Sequence, residues 1–244
     1  MVSLVALTGT SFSQEITVAA AADLTYALKE IAANFEKQSG TNVNISFGSS
    51  GNLSTQIANG APFDVFFSAD IEYPKKLETD GLTEPGTLYQ YAVGRIVLWV
   101  PKDSKIDVSK GMSSLAAVEA QRIAIANPAH APYGRAAVSA MTGAGVYEKV
   151  KDKLVFGENV AQAAQFVDSG NAQIGVIALS LALSPAMAER GRYWEIPLDS
   201  YPRIEQGAVV VKASKNKGSA KAFLAYVRSP DGATILKRYG FFLP

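Results

Sequence analysis

Short apolar segments with strand character alternate with helical segments along nearly the whole 244-residue chain, and this alternation restricts the fold more than any other feature. Segment 16–21 (ITVAAA) is predicted to be a buried strand, followed by a helix from about Leu24 with Leu28 and Ile31 on its apolar face. Further strands are predicted at NVNISFG (42–48), FDVFFSA (63–69), GRIVLWVP (94–101), RIAIANP (122–128), KLVFGEN (153–159) and QIGVIALS (173–180). This order predicts an α/β fold with mixed sheets covered by helices on both faces.

Two stretches rich in tyrosine and turn residues interrupt the pattern, YQYAVGR (89–95) and DSYPRIEQ (199–206). A chain that crosses twice between two lobes would pass at these places, and one of the lobes would then be discontinuous. We therefore predict three segments after the N-terminus: a first part of lobe 1 at 15–92, lobe 2 at 93–202, and a second part of lobe 1 at 203–244.

The composition excludes several classes of function. The net charge is +1 and no basic run occurs, which argues against nucleic acid or an anionic membrane as a partner. There is no cysteine and only one histidine, His130, so disulfides, thiolate metal sites and clustered histidine sites are excluded. We expect no cofactor and no side chains that ligate a metal directly.

Residues 1–14 are apolar and rich in small side chains, and they end in a small-x-small pattern at Ser11, Phe12 and Ser13. This pattern resembles the tail of a secretory signal cleaved after Ser13, although a basic n-region is missing. The alternative is a disordered start of the chain. In the first case the mature protein is exported.

Strand-to-helix junctions with small or polar residues recur along the chain, at Ala22-Asp23, Ser49-Ser50-Gly51, Pro132-Tyr133-Gly134 and Asn159-Val160. In open α/β sheets, ligands bind at the carboxyl ends of the strands, where such junctions meet. Each helix start presents unpaired N–H groups and about half a positive charge, so several together suit a dianion. The same residue types are also ordinary helix caps. The junctions alone therefore leave both an anion site and plain capping open.

A serine hydrolase that uses Ser50 with His130 is the enzymatic alternative. The segment FGSSGN is not a G-x-S-x-G elbow, because Gly51 follows Ser50 directly. Neither a phosphate-binding P-loop nor a dinucleotide-binding fingerprint is present. A single histidine in a loop is more often a surface or capping residue than a general base. We therefore expect a protein that is not an enzyme.

Five blocks of the sequence carry a resemblance to a known family: VAAAADLTYAL, FGSSGNLSTQIANGAPFDVFFSAD, IAIANPAHAPYGRAA, GENVAQAAQFVDSGNAQIGVIALS and LKRYGFFLP. In these blocks the chain resembles the periplasmic molybdate-binding proteins of ABC importers, from Glu15 to Pro244. The resemblance implies a two-lobed type II solute-binding fold with a ligand cleft between the lobes. It also implies that the cleft closes on molybdate or tungstate through neutral hydrogen-bond donors.

The resemblance implies a ligand-binding set when it is carried over position by position: Ala22, Asp23, Ser49, Ser50, Tyr133 and the backbone N–H of Val160. Many members of the family have a tyrosine in the strand where this chain has Ala178. A branch of the family has its tyrosine in the APYG loop instead, and this chain matches that branch through Tyr133. We therefore expect Tyr133 to supply the tyrosine hydroxyl that other members place at the position of Ala178.

Asp23 is a second position, besides Ala178, where the chain differs from the family pattern. Many members have Ser or Asn at this position. Unit charges about 4 Å apart repel by about 4 kcal/mol at an effective dielectric constant near 20, and a dianion roughly doubles this value. We expect the carboxylate to turn away and cap the N–H groups of Tyr26 or Ala27, which stabilises a helix by about 1 kcal/mol. The alternatives are a protonated Asp23 and a ligand that brings its own proton, which favours a phosphate-like oxyanion.

The resemblance also implies a biological setting. We expect a monomeric periplasmic protein that delivers its anion to the permease subunits of an ABC transporter. The absence of cysteine argues against a lipid anchor, so we expect secretion through a signal peptide and free diffusion.

Overall fold

The computed structural model describes residues 14–244. Its strands are β1 (Glu15–Ala21), β2 (Asn42–Gly48), β3 (Val65–Ser68), β4 (Tyr89–Gly94), β5 (Ile96–Pro101), β6 (Ile123–Ala126), β7 (Leu154–Gly157), β8 (Ile174–Ala178), β9 (Gly191–Glu195) and β10 (Ile204–Val210). Its α-helices are α1 (Ala27–Ser39), α2 (Ser50–Ala58), α3 (Glu72–Thr79), α4 (Pro132–Gly143), α5 (Tyr147–Val150), α6 (Val160–Asp168), α7 (Leu179–Ala182), α8 (Lys217–Arg228) and α9 (Pro230–Arg238). The predicted signal remnant or disordered start, 1–14, lies outside the described residues except for Gln14.

The strands form two five-stranded sheets, and each sheet is the centre of one lobe. The sheet of lobe 1 has the order β2-β1-β3-β10-β4, and the sheet of lobe 2 has the order β7-β6-β8-β5-β9. In lobe 1, β10 runs antiparallel to its neighbours β3 and β4, while β1 is parallel to β2 and β3. In lobe 2, β5 is the corresponding antiparallel strand between β8 and β9. The predicted pair of mixed sheets flanked by helices is confirmed.

Helices cover both faces of the sheet in lobe 1 because both faces of its central strands are apolar. In β1, Val18 and Ala20 pack into a core cluster with residues of α1, α8 and α9, while Ala19 packs into a second cluster with residues of α2 and α3. Successive side chains of a strand point to opposite faces, so a continuous apolar run requires a cover on each side. This explains why β1 ends in an uninterrupted apolar run, 18–21.

The chain passes between the lobes at two places. Strand β4 of lobe 1 ends at Gly94 and β5 of lobe 2 begins at Ile96; the return lies between Glu195 and Ile204. The predicted lobe limits after residues 92 and 202 lie close to these crossings and stay predictions. Across residues 14–244, no helix combines the length and the apolar character that crossing a membrane requires.

The start of the first helix differs from the prediction. Residues Ala22–Leu24 form a 3₁₀ turn, and α1 begins only at Ala27. Thr25 closes the turn, because its hydroxyl donates a hydrogen bond to the carbonyl oxygen of Ala22 at 2.7 Å. The predicted helix start at Leu24 is therefore wrong by one turn, and Asp23 lies in the turn instead of at the cap of α1.

Candidate functional site

The six residues assigned to the site from the sequence line one small cavity between the lobes: Ala22, Asp23, Ser49, Ser50, Tyr133 and Val160. The cavity is small, with a volume of about 10 Å³. Sites for drug-sized ligands have volumes of roughly 300–1,000 Å³, so a small ion is the class of ligand that fits. Among the described residues that line it, there is no lysine and no arginine.

A larger cleft of about 390 Å³ lies nearby and is lined in part by charged side chains. These side chains are paired: Arg135 lies 2.5 Å from Asp70, Arg203 lies 3.8 Å from Glu205, and Glu72 lies 2.7 Å from Lys75. Because its charges are matched within the protein, this cleft does not offer a surplus of donors to an anion. The small cavity is therefore the candidate site.

The carboxyl ends of strands from both lobes converge on the small cavity. In lobe 1, β1 leads into the 3₁₀ turn with Asp23, and β2 leads through Ser49 into α2. In lobe 2, β6 precedes α4 with Tyr133, and β7 precedes α6 with Val160. Parallel strands bring their carboxyl ends to the same edge of a sheet, so the four junctions meet when the two edges face each other.

Helix starts provide backbone donors at the cavity wall. Asn159 caps α6, and its Oδ1 accepts hydrogen bonds from the amides of Ala161 and Gln162, each at 3.0 Å. The Val160 amide comes first in the helix, where no intrahelical acceptor is available, and the cap of Asn159 does not use it. The amide of Tyr133 lies in the first turn of α4, whose N-cap residue Ala131 has no side-chain cap. Both amides are therefore suited to an anion.

The Ser50 hydroxyl is oriented as a donor. Its Oγ accepts a hydrogen bond from the amide of Ala69 at 2.9 Å. A hydroxyl has one hydrogen to donate and can also accept, so this contact leaves the hydrogen of Ser50 for a ligand. Ser49 is engaged elsewhere, because its Oγ shares a hydrogen bond of 2.9 Å with Nδ1 of His130.

Asp23 does not cap a helix, and this prediction is wrong. Its Oδ2 accepts hydrogen bonds from the hydroxyl of Tyr133 at 2.9 Å and from Nε2 of Gln206 at 2.7 Å. The 3₁₀ turn separates Asp23 from the start of α1, where neither Tyr26 nor Ala27 receives a side-chain cap. The carboxylate is 1% exposed and lines the cavity, so it lies inside the candidate site.

Burial raises the pKa of Asp23 to about 6, because a carboxylate loses its hydration in this position. Hydrogen bonds from Gln206 and Tyr133, together with the nearby amides of Asp23 and Leu24, lower the pKa but do not cancel the effect of burial. Burial, with the Asp23 charge added, raises the pKa of Tyr133 well above its ordinary value, so this hydroxyl keeps its hydrogen.

Two residues of this cluster were missed from the sequence. Gln206 is fully buried in β10, where its Nε2 also lies 3.0 Å from the Tyr133 hydroxyl. Ser180, at the start of α7, donates a hydrogen bond from its hydroxyl to the carbonyl oxygen of Asp23 at 2.7 Å. The available signal for Gln206 was a polar amide that follows Glu205 and precedes the apolar end of a strand, because buried polar groups need partners. No comparable signal marks Ser180.

Contacts at the rim hold the lobes closed over the cavity. The amide of Gly51 in lobe 1 donates to the carbonyl oxygen of His130 in lobe 2 at 3.0 Å. The side chain of Asn52 donates to Glu158, and His130 Nε2 lies 3.6 Å from the same carboxylate. The described structure is thus a closed arrangement.

A Gly51→Ala variant is expected to bind its ligand about 10-fold more weakly with no loss of stability in the unliganded protein. A Cβ at this position would lie 2.8 Å from the carbonyl oxygen and 3.0 Å from Cβ of His130, so it would hold the lobes apart. It would also lie 2.9 Å from the hydroxyl of Tyr73 in its own lobe, where the end of a half-buried side chain can shift. Alanine favours a helix more than glycine does, by about 1 kcal/mol, so α2 itself is not weakened. Calorimetry and thermal unfolding measure the two effects. Wild-type affinity in this variant would contradict closure at Gly51.

Comparison with known proteins identifies the family. A family model described as bacterial extracellular solute-binding protein matches residues 16–242. The molybdate-binding protein ModA of Azotobacter vinelandii is 42% identical over 227 residues, which cover 93% of this chain and 89% of that protein. The chain belongs to the bacterial extracellular solute-binding proteins.

Other members of this family agree in sequence and in structure. The ModA protein of Rhodobacter capsulatus is 40% identical over 93% of this solute-binding protein and 88% of its own length. The solved structure of the Azotobacter vinelandii periplasmic molybdate-binding protein superimposes with a TM-score of 0.88 at 37% identity, covering 94% of this chain and 99% of that one. The two-lobed type II fold implied by the resemblance is thereby confirmed.

The hydrolase alternative is not supported for this solute-binding protein. The family consists of solute-binding proteins, so the expectation that the chain is not an enzyme is confirmed. In addition, the histidine contacts Ser49 through Nδ1, whereas the hydroxyl of Ser50 accepts from the amide of Ala69. The predicted nucleophile and base are therefore not paired.

Proposed function

We propose that this solute-binding protein captures molybdate or tungstate in the cavity between its lobes and delivers it to the permease subunits of an ABC importer. The observation that carries the proposal is the cavity itself, which is small and lined by neutral side chains and helix starts around a single carboxyl group. Molybdate-binding relatives at 42% and 40% identity support the choice of anion.

The proposed ligand set combines hydroxyl and backbone donors. The Ser50 hydroxyl, the Tyr133 hydroxyl and the amide of Val160 are proposed to donate to the oxygens of the anion. Ala22 and Ser49 are proposed to complete the shell. Tetrahedral oxyanions carry acceptor oxygens on all sides, so donors from both lobes are needed to replace water around them. No side chain is proposed to ligate the metal atom directly.

The charge of Asp23 decides which anion the proposed site can hold. The starts of α2, α4 and α6 each supply about half a positive charge, which offsets most of the charge of a dianion. A charged Asp23 about 4 Å away would oppose that dianion by about 8 kcal/mol at an effective dielectric constant near 20. A bare dianion and a charged Asp23 are therefore poorly matched in the same cavity.

A second candidate ligand follows from this mismatch. A phosphate-like oxyanion that carries a proton donates a hydrogen bond to a carboxylate, as Asp23 requires when it is charged. The buried carboxylate that lines the cavity is the observation that favours this alternative.

Titration calorimetry with molybdate, tungstate, sulfate and phosphate at pH 7 is the direct test. We expect one saturable site for molybdate and for tungstate, and weaker or no binding of the other two anions. Tightest binding of phosphate would select the second candidate. An absence of heat with both metal oxyanions would overturn the proposal.

The cellular setting is part of the proposal. We infer a periplasmic, monomeric protein that is exported through a signal peptide. The solved relative described as periplasmic supports the compartment. Light scattering of the purified protein, with and without molybdate, tests the monomer.

A further inference from the structure

Asp23 and Tyr133 face each other across the closed cleft. The number of O–H hydrogens that the two side chains share limits how many hydrogen bonds they can donate to an anion. An ionised carboxylate only accepts hydrogen bonds. The short contact between Tyr133 Oη and Asp23 Oδ2, at 2.9 Å, therefore uses the one hydrogen of the hydroxyl. While Asp23 is charged, neither side chain has an O–H hydrogen left for a ligand in the cavity that both of them line.

We propose that Asp23 binds the oxyanion as a neutral carboxylic acid, so that each oxyanion enters the cavity together with one proton from solvent. The protonated pair has two O–H hydrogens, one on Asp23 and one on Tyr133. One of them forms the hydrogen bond between the two side chains, and the other is donated to the anion. No bond to the metal atom forms or breaks. The inference rests on the proposed function and makes Asp23 a residue that determines specificity.

The surroundings of the carboxyl group favour its neutral form. Its Oδ1 is buried and accepts no hydrogen bond of good geometry among the described residues, so only the nearby amides of Asp23 and Leu24 offset its charge. Gln206 supports the other oxygen with an uncharged amide at 2.7 Å. Burial already raises the pKa of Asp23 to about 6, and a dianion beside it raises that pKa further.

No cation in the described surroundings is placed to hold Asp23 in its charged form. The titratable side chains that face it are Tyr133 from α4 and Tyr91 from β4, and burial raises the pKa of both well above the ordinary value. The charged residues of the helices around the 3₁₀ turn are engaged elsewhere: Glu30 of α1 with Arg238, Lys29 of α1 over Phe47, and Asp168 of α6 with Arg190.

One titratable side chain outside the pair requires a control. His130 contacts Ser49, which also lines the cavity, so its ionisation is an alternative source of pH dependence. Molybdate itself stays fully deprotonated across neutral and mildly alkaline pH, so the ligand does not contribute over that range. A His130→Gln variant therefore distinguishes the contribution of Asp23 to the pH dependence of binding from that of His130.

Calorimetric titration with molybdate, at pH 8 in two buffers that differ in ionisation enthalpy, measures the number of protons taken up. We expect about one proton per anion in the wild-type protein, and an affinity that falls about tenfold per pH unit above the pKa of Asp23. His130→Gln is expected to keep both properties. Asp23→Asn, which provides amide hydrogens without taking up a proton, is expected to bind with no proton uptake and more tightly than wild type at pH 8.5.

The failures of the two proposals are distinguishable. If wild type binds molybdate without proton uptake, or if Asp23→Asn keeps the pH dependence and His130→Gln loses it, this inference is overturned while the proposed function stands. If neither the wild type nor Asp23→Asn binds molybdate at any pH between 6 and 8.5, the proposed function fails. Far-ultraviolet circular dichroism of each variant checks that it is folded.

Discussion

A Gly94→Ala variant is expected to bind molybdate about 100-fold more weakly than the wild-type protein. A Cβ at this position would lie 2.2 Å from the hydroxyl oxygen of Tyr133 and 2.6 Å from Nε2 of Gln206. Both groups are hydrogen-bonded to Asp23, so the added methyl group displaces the polar cluster at the cavity wall. A hydrogen bond to a charged group contributes about 1.5–3 kcal/mol, and about 2.7 kcal/mol corresponds to 100-fold in affinity.

Position 94 is sensitive because of its place in the fold. Gly94 is the last residue of β4, immediately before the chain crosses to lobe 2. Its backbone does not require glycine, because its φ is not among the positive values. The expected loss therefore comes from the space that Tyr133 and Gln206 occupy, and backbone strain does not contribute.

Calorimetric affinities of Gly94→Ala and Gly218→Ala give the matched comparison. Gly218 lies in the first turn of α8, and a Cβ added there would have no heavy atom within 4 Å, so its substitution is expected to leave binding unchanged. Tyr133→Phe, which removes the hydroxyl without adding a methyl group at position 94, is expected to weaken binding as well. Wild-type affinity in both Gly94→Ala and Tyr133→Phe would show that the cluster does not contact the ligand.

The second large effect is on stability. Without ligand, Asp23→Asn is expected to be more stable than wild type by about 3 kcal/mol at pH 7.5, and the difference is expected to shrink towards zero near pH 4. Burial holds the pKa of the folded-state carboxyl group at about 6, against an ordinary value of 3.8. One pKa unit corresponds to about 1.4 kcal/mol, so the ionised, buried carboxylate destabilises the fold by about 3 kcal/mol.

The sign of the pH dependence follows from proton binding. Below pH 3.8 the acid is neutral in both the folded and the unfolded chain, and the destabilisation is absent. Between 3.8 and about 6 the folded state keeps a proton that the unfolded state has lost, so stability falls as the pH rises. Above this range the destabilisation is constant. The asparagine variant lacks this contribution at every pH.

Urea unfolding of both proteins from pH 4 to 8 measures the difference. Asp107→Asn is the matched control, because Asp107 is an exposed carboxylate whose pKa is lowered by hydrogen bonds from Ser109. This control is not expected to gain stability at neutral pH. A stability difference between Asp23→Asn and wild type that does not change with pH would contradict the buried-carboxylate explanation.

Most of the fold was predictable from local patterns. The apolar run of β1 and the spaced apolar positions of α1 are set by the repeats of a strand and a helix, which depend only on neighbouring residues. The alternation of these elements led to the mixed sheets that the structure contains. The start of α1 was predicted incorrectly, because the 3₁₀ turn at Ala22–Leu24 leaves no distinct mark in residue spacing.

The location of the site was predictable from the sequence, but its hydrogen-bond network was not. Ser50 and Val160 lie at junctions whose residue types indicate donors, and both line the cavity. The partners of Asp23 were not predictable in this way, and the cap on Tyr26 or Ala27 was the wrong choice. A side chain's nearest amides are visible in the sequence, whereas its contacts across a cleft depend on how two lobes meet.

The sequence by itself determined the strands and helices, the neutral donors at the junctions and the presence of a carboxyl group among them. Only the tertiary structure decided the state of that carboxyl group. Asp23 meets Tyr133, which is 110 positions away, and Gln206, which is 183 positions away, where all three side chains are buried. Desolvation and hydrogen bonding by such distant residues set a pKa, and neither exists until the lobes have folded and closed.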